Sequence, residues 1–209
     1  MFTDPISNLT VYGDDMSGNC LKVKWVAERC GLSYDWVAVD VVGHECRNDP
    51  FLALNPVGQV PVVRWPDGRI LTQSNAIILY FAETTESDLI PRDAFQYAQM
   101  QSWLFWEQYS HEPTIAVRRF LKHFKGLPDT DIDPTLMEKG IKALSILEMQ
   151  TSYTEWLVGD ALSLADIALV AYTRIAHEGG FDLADFPAVA RWVARVEKAL
   201  GLPSSREAA

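Results

Sequence analysis

Cysteine is scarce. The chain has three, Cys20, Cys30 and Cys46, too few and of the wrong parity for a disulfide framework, and a reducing cytoplasm is the expected location. No apolar run approaches the ~20 residues that cross a bilayer. The opening MFTDPISN has no basic segment leading into a long apolar stretch, so no secretory leader is expected. Positive charge is also short: 18 Lys and Arg against 28 Asp and Glu leave a formal net charge of −10. That balance argues against general binding to nucleic acid or to an anionic membrane. No H-E-x-x-H motif occurs, and His44-Glu45-Cys46 has no second ligand pair, so no metal site is expected. Repeats and low-complexity segments are missing. What remains is a 209-residue chain, 48% hydrophobic and 22% charged, as expected of a soluble globular protein with one large domain or two compact ones.

Residues 9–12 are a short apolar run ending at Gly13 and read as a first strand. After the turn-rich 14–19, a helical pattern puts Cys20, Val23, Ala27 and Cys30 on one face. Lys22, Lys24, Glu28 and Arg29 fall mostly away from it, and Gly31 closes the helix. Residues 34–42 read as a second strand, buried on both sides towards 37–42. Strand, helix and strand so close together imply a right-handed crossover with parallel strands. A shorter helix over 44–54 leads into a hairpin, 60–65 and 70–71, turned by Pro66-Asp67-Gly68-Arg69. A helical run through 76–81 completes a β-α-β-α-β-β-α order, that of a thioredoxin-like α/β unit.

Residues 84–93 are polar and contain Pro91. They read as a linker, placed at 87–92 between domains 1–86 and 93–209. The second domain reads as all-helical. Phe95, Trp103, Trp106, Ser110, Pro113, Val117, Leu121 and Phe124 recur at three- and four-residue steps, a long amphipathic helix that Pro113 should kink or divide. Asp133 and Pro134 suit the start of the next helix, with Leu136, Ile141, Leu144, Leu147 and Met149 as its buried stripe. Residues 164–175 are largely apolar, the pattern of a central helix, and Ser163-Leu164-Ala165-Asp166 in front of them fits a capping box. A last amphipathic helix over 186–200 ends at Gly201.

The chemistry concentrates on 55–74, NPVGQVPVVRWPDGRILTQS. Pro61 opens a strand without an amide to donate, leaving an unpaired edge at Val60, and such an edge can receive an extended peptide. One hairpin later, Gln73 and Ser74 stand at a helix N-terminus, where backbone amides favour a carboxylate. The pattern NP-x-GQVPVV followed by DGR-x-L-x-QS-x-AI resembles the glutathione-binding half of the cytosolic glutathione transferases. The resemblance extends over roughly 9–200 and includes the Ser163–Asp166 box. It implies the two-domain fold of that family, glutathione as co-substrate, a small hydrophobic electrophile as second substrate, and a homodimer. It also assigns Val60, before a cis Pro61, to the cysteinyl backbone of glutathione, and Gln73 and Ser74 to its γ-glutamyl end.

Ser17 lies between the first strand and first helix, where α/β folds place ligands. Its simplest role is an N-cap, worth roughly 1 kcal/mol. The other is a donor to a bound thiolate. Lowering a thiol pKa of ~8.5 by two units takes ~2.7 kcal/mol, within reach of one hydroxyl bond to a charge, ~1.5–3 kcal/mol, aided by the helix dipole. Tyr12-Gly13 with Ser17-x-x-Cys20-x-x-Val23 is similar to the serine-dependent, theta-like and bacterial branches, which implies that Ser17 activates glutathione. Asn19 is the nearest rival donor. The same resemblance places His44 near the glycine end of glutathione. Cys20, one turn into the helix, is the competing centre, whose nucleophilic use would mean thiol–disulfide exchange, although it shares the buried stripe with Val23. A non-catalytic binding module of the same fold is the third alternative. Trp103 and Trp106 read as core, while Phe105, Tyr109 and His111 are expected in an electrophile pocket in the cleft between domains. Arg118, Arg119, Lys122, His123 and Lys125 form a basic cluster, read as a solvated helix face or a lure for an anionic substrate.

Overall fold

The structure, a computed structural model, describes residues 8–205. The N-terminal stretch considered above for a leader lies almost wholly outside them. The chain divides into two compact units, Met1–Ile90 and Pro91–Ala209.

The first unit is a four-stranded sheet in the order β2-β1-β3-β4. Its strands are β1 Leu9–Gly13, β2 Tyr34–Ala38, β3 Val62–Arg64 and β4 Ile70–Thr72. Strand β1 is central and alternates buried with half-buried positions, Leu9 and Val11 being fully covered, the period-2 signature of a strand with one face in the core. It pairs parallel to β2 across helix α1, Gly18–Arg29, and antiparallel to β3. Trp65 donates to the Arg69 carbonyl at 2.9 Å, closing the Asp-Gly hairpin between β3 and β4. Helix α2, Asp49–Leu54, is short and is preceded by a 3₁₀ turn, Glu45–Arg47. Helix α3, Ser74–Thr84, packs on α1.

Two expectations for this unit need correction. Strand β2 ends at Ala38 and is mostly exposed, with Val37 and Val42 about 40% accessible. It is an edge strand with one neighbour, and past Val39 the chain turns, the Asp40 carboxylate accepting from Gly43 at 2.6 Å. Lys22, placed on the solvated face by its charge, has no solvent exposure at all.

The second unit is helical. Helices α4, Ala94–Trp106, and α5, Glu112–Arg119, run on through a π turn at Glu107–His111. Pro113 cannot donate to the carbonyl four residues back, and the wider turn in front of it, with Glu112 N–H on the Glu107 carbonyl, absorbs the mismatch as π turns do. Helix α6, Pro134–Tyr153, starts under the Asp133 carboxylate, which accepts from Thr135 at 2.9 Å. Its buried positions are Gly140, Ala143, Leu144, Leu147 and Thr151, while Ile141 and Met149, expected in the stripe, are exposed. A Cβ on Gly140 would stand 2.4 Å from the Phe181 ring, so glycine is what lets that contact form. Helix α7, Leu164–Thr173, is buried at every position. The capping box forms, and Asp166 does more than cap: it accepts from Leu157 N–H at 3.0 Å and from the indole of Trp192 at 2.9 Å. Trp192 belongs to α8, Pro187–Leu200. Trp103 and Trp106, expected in the core, are half-buried and stack edge-to-face at 5.2 Å. Among the described residues no helix is long and apolar enough to cross a membrane.

Candidate active site

The turn after β1 is built around Asp14. Its carbonyl accepts from Ser17 N–H at 3.0 Å and its carboxylate from Met16 N–H at 2.8 Å. This holds Ser17 at the N-cap of α1 in an extended conformation, its carbonyl accepting from Cys20 and Leu21. The hydroxyl, however, makes no cap bond. The simplest reason for a serine here, satisfying an orphan amide of its own helix, is therefore not realised. The hydroxyl is half-buried and hydrogen-bonds towards the Cys20 thiol.

Cys20 is fully buried. Burial pushes its thiol up to about 12, despite opposing hydrogen bonds from the Asp14 backbone and the Ser17 side chain, and the carboxylates of Asp14 and Asp15 add to the rise. At neutral pH it is a protonated core thiol, the opposite of the depressed pKa and exposure that reactive cysteines have. Cys46 is buried as well, and all three cysteines are free.

Across the sheet, the Val60–Pro61 peptide is cis. Ladder pairing of β3 begins only at Val62, and neither the amide nor the carbonyl of Val60 has a backbone partner among the described residues. The loop that presents Val60 is anchored by residues with no sequence signal of their own. Asn55 Nδ2 donates to the Gln59 carbonyl at 2.7 Å, and Arg47 Nη1 to the Val57 carbonyl at 3.1 Å. Gly58 has φ +66°, and a Cβ there would lie 2.9 Å from the Cys46 carbonyl oxygen. The Val60 side chain packs on Val39, Cys46, Phe51 and Val62.

At the start of α3, Gln73 is exposed and has φ 71°, ψ 111°. A left-handed φ at a non-glycine residue is uncommon and collects at ligand sites. Ser74 follows in the first turn, buried, its hydroxyl donating to Asn19 Oδ1 at 3.0 Å. The same oxygen accepts from the ammonium of Lys22 at 2.9 Å, which also lies 3.5 Å from Asn75 Oδ1. The first turns of α1 and α3, both amide-rich N-termini, are thus cross-linked by a buried polar cluster, which favours an anion nearby. Of the residues expected in the site, the structure joins Asn19 and Ser74 directly and leaves Val60 and Gln73 with groups to offer. His44 is exposed, in the left-handed region at φ 66°, and makes no side-chain cap bond. Lys22 and Asn75 were missed because a buried lysine looks like a solvated one in a helical pattern.

In the helical unit, Phe105 and Tyr109 are exposed. Tyr109 borders a groove of about 420 Å³ with Trp106, Ser110, Pro113, Lys139 and Lys142. His111 does not share that exposure. It is fully buried, with Nε2 2.9 Å from Thr173 Oγ1 on α7, so its place is in the helical core and not on a pocket wall. The basic cluster also needs correction. Arg118 and Arg119 are buried, Arg118 donating to the Gly179 carbonyl at 2.8 Å and to Asp129, Arg119 to Glu178. Lys122 joins Asp129 at 2.7 Å. These arginines tie α5 to the 3₁₀ turn Ala176–Gly179, a structural use of their fork geometry. Among the described residues, no three His, Cys, Asp or Glu side chains are grouped to hold a metal ion.

A mixed four-stranded sheet, an open backbone edge before a cis proline and a polar helix start in the same unit define a thioredoxin-like fold. The sequence relationships agree. Residues 16–84 match the family described as glutathione S-transferase, N-terminal domain, and residues 116–199 that described as glutathione S-transferase, C-terminal domain. Glutathione S-transferase F10 of Arabidopsis thaliana is 31% identical over 173 residues, covering 79% of this chain and 80% of that protein. A solved glutathione S-transferase from Pseudomonas fluorescens aligns with a TM-score of 0.86 and 45% identity, over 91% of this chain and 95% of that one. A glutathione transferase homologue from Sulfitobacter, solved with bound glutathione, aligns at 0.77 with 25% identity, over 91% and 92% of the two chains. This chain belongs to the glutathione S-transferase family.

Proposed function

We propose that this protein is a serine-dependent glutathione transferase. Glutathione lies along the Val60 edge, its cysteinyl backbone on the amide and carbonyl that have no partner there. Its γ-glutamyl carboxylate sits at the start of α3 on Gln73 and Ser74, Asn19 offers its amide on the sulfur side beside Ser17, and His44 approaches the glycine carboxylate. Ser17 donates its hydroxyl to the sulfur, and the thiol proton passes to solvent. The thiolate attacks an electrophilic carbon, a C–S bond forms, and the leaving group departs with the electron pair of the bond it breaks. Held reactants also supply proximity. Phe105 and Tyr109, with the groove beside Tyr109, contact the hydrophobic electrophile in this reading, and the buried His111 does not.

The observation that carries the proposal is Ser17, a helix-initiating serine whose hydroxyl makes no cap bond. The Cys20 oxidoreductase alternative is disfavoured by the burial and raised pKa of that thiol. A homodimer, implied by the family resemblance, belongs to the proposal. Three free thiols support a reducing, cytoplasmic setting.

The test is calorimetry of glutathione with wild type and with Ser74→Ala, beside conjugation of 1-chloro-2,4-dinitrobenzene. Micromolar to millimolar binding, weakened about fivefold in the variant because the Ser74 hydroxyl bond that holds Asn19 Oδ1 is lost, with measurable conjugation by wild type, is the expected result. Absence of glutathione binding by the folded wild type would refute the proposal, and binding without conjugation of any electrophile would favour the non-catalytic alternative.

A further inference from the structure

The least expected group beside the site is Lys22. It sits in the middle of α1 without solvent exposure, and burying an ammonium is costly unless hydrogen bonds compensate it. Two of its bonds land on residues flanking the site, Asn19 Oδ1 at 2.9 Å and Asn75 Oδ1 at 3.5 Å.

An ammonium has three donors and no acceptor, so each amide must turn its carbonyl edge towards it. Asn19 Oδ1 takes the Ser74 hydroxyl as well, at 3.0 Å. The planar amide of Asn19 is therefore fixed: its oxygen faces Lys22 and Ser74, and only its N–H edge can be offered elsewhere. A bound thiolate or carboxylate is an acceptor, and an asparagine whose oxygen faced it would repel it. We propose that Lys22 is a positioning residue, a buried cation that locks Asn19 as a donor to glutathione and ties the first turn of α1 to that of α3. This rests on the glutathione reading above and adds to it a residue that touches no ligand.

The test uses the full chain with Lys22→Met, Lys22→Arg and Asn19→Asp. Three quantities are read: glutathione affinity by calorimetry, the thiol pKa of bound glutathione from thiolate ultraviolet absorbance, and the melting temperature. Lys22→Met should weaken glutathione about tenfold and raise the bound-thiol pKa, with Lys22→Arg recovering part of both. Asn19→Asp is isosteric and keeps an acceptor for Lys22 and Ser74 but replaces the N–H edge with a carboxylate oxygen. It should raise the bound-thiol pKa without lowering the melting temperature, a result that a merely structural role would not produce. If Lys22→Met does not fold, Lys22→Arg and Asn19→Asp decide. An unchanged thiol pKa in Asn19→Asp, or wild-type affinity and pKa in a folded Lys22→Met, overturns the positioning role alone. No glutathione binding by wild type overturns the parent reading instead and, with it, this one.

Discussion

Removing the carboxylate of Asp166 should cost more stability than any single change at the candidate site. Oδ1 accepts from Leu157 N–H at 3.0 Å and from Trp192 Nε1 at 2.9 Å, and Oδ2 from Ser163 N–H at 3.0 Å and Ser163 Oγ at 2.8 Å. Asp166→Ala strands the Leu157 and Trp192 donors in a buried site, at ~1–3 kcal/mol each, and dissolves a capping box worth ~1 kcal/mol. The loss is about 3–7 kcal/mol, a large share of the ~5–15 kcal/mol of a typical domain. Asp166→Asn keeps the Oδ1 acceptor and spoils only the Ser163 side, costing about 1–3 kcal/mol. Urea denaturation followed by tryptophan fluorescence reads both. Burial raises the Asp166 pKa against the pull of its hydrogen bonds, so the folded state holds that proton more tightly than the unfolded chain. Its contribution is full below the ordinary carboxylate range and is lost as pH rises through the raised value. Asp166→Asn should remove that part of the pH dependence. Asp166→Ala within ~1 kcal/mol of wild type, or no more damaging than Asp166→Asn, would refute the four-donor account.

Other outcomes follow from the same geometry. Because Ser17 makes no cap bond, Ser17→Ala should leave unfolding stability within ~0.5 kcal/mol, where a working N-cap would lose ~1 kcal/mol. Gly58→Ala should cost about 1–3 kcal/mol, since it adds a left-handed φ penalty to contacts of 2.7 Å with Arg47 and 2.9 Å with the Cys46 carbonyl. It should also weaken glutathione through the Val60 loop, while Gly68→Ala, also at positive φ but with nothing within 4 Å, pays the backbone part only and leaves binding intact. Cys20, its pKa pushed up to about 12 by burial, should resist iodoacetamide in the native protein at pH 7.5, and rapid labelling by mass spectrometry would revive the cysteine mechanism.

Features encoded within a few residues were legible in the sequence. The Asp67-Gly68 hairpin, the Ser163–Asp166 box, the Asp133 cap and the largely apolar run of α7 each rest on local chemistry, and each is present. The features that escaped depend on partners far along the chain. Lys22 looks solvated because the amide of Asn75 that helps bury it lies 53 residues away. Arg118 and Arg119 read as a basic surface because Gly179 and Glu178 are about 60 residues distant. His111 shares a helix with exposed Tyr109, but the π turn between them and Thr173 on α7 decides where its ring goes. Strand β2 was overextended because apolar residues at 37–42 look buried until the sheet order makes β2 an edge. For the site, the Val60, Pro61, Gln73 and Ser74 positions were legible as a motif. The loop anchors Asn55 and Arg47 and the lysine behind Asn19 were not, because they act through other residues.

The claim at the centre of this account is that the Ser17 hydroxyl stabilises a glutathione thiolate. Its most direct test is a pH titration of bound glutathione by thiolate ultraviolet absorbance, in wild type and Ser17→Ala. The account predicts a thiol pKa lowered by about two units in wild type, equivalent to ~2.7 kcal/mol, and returned most of the way towards that of free glutathione in the variant, with affinity kept. A lowered pKa that survives the substitution would contradict it and move the role to Asn19 or to the backbone amides of α1.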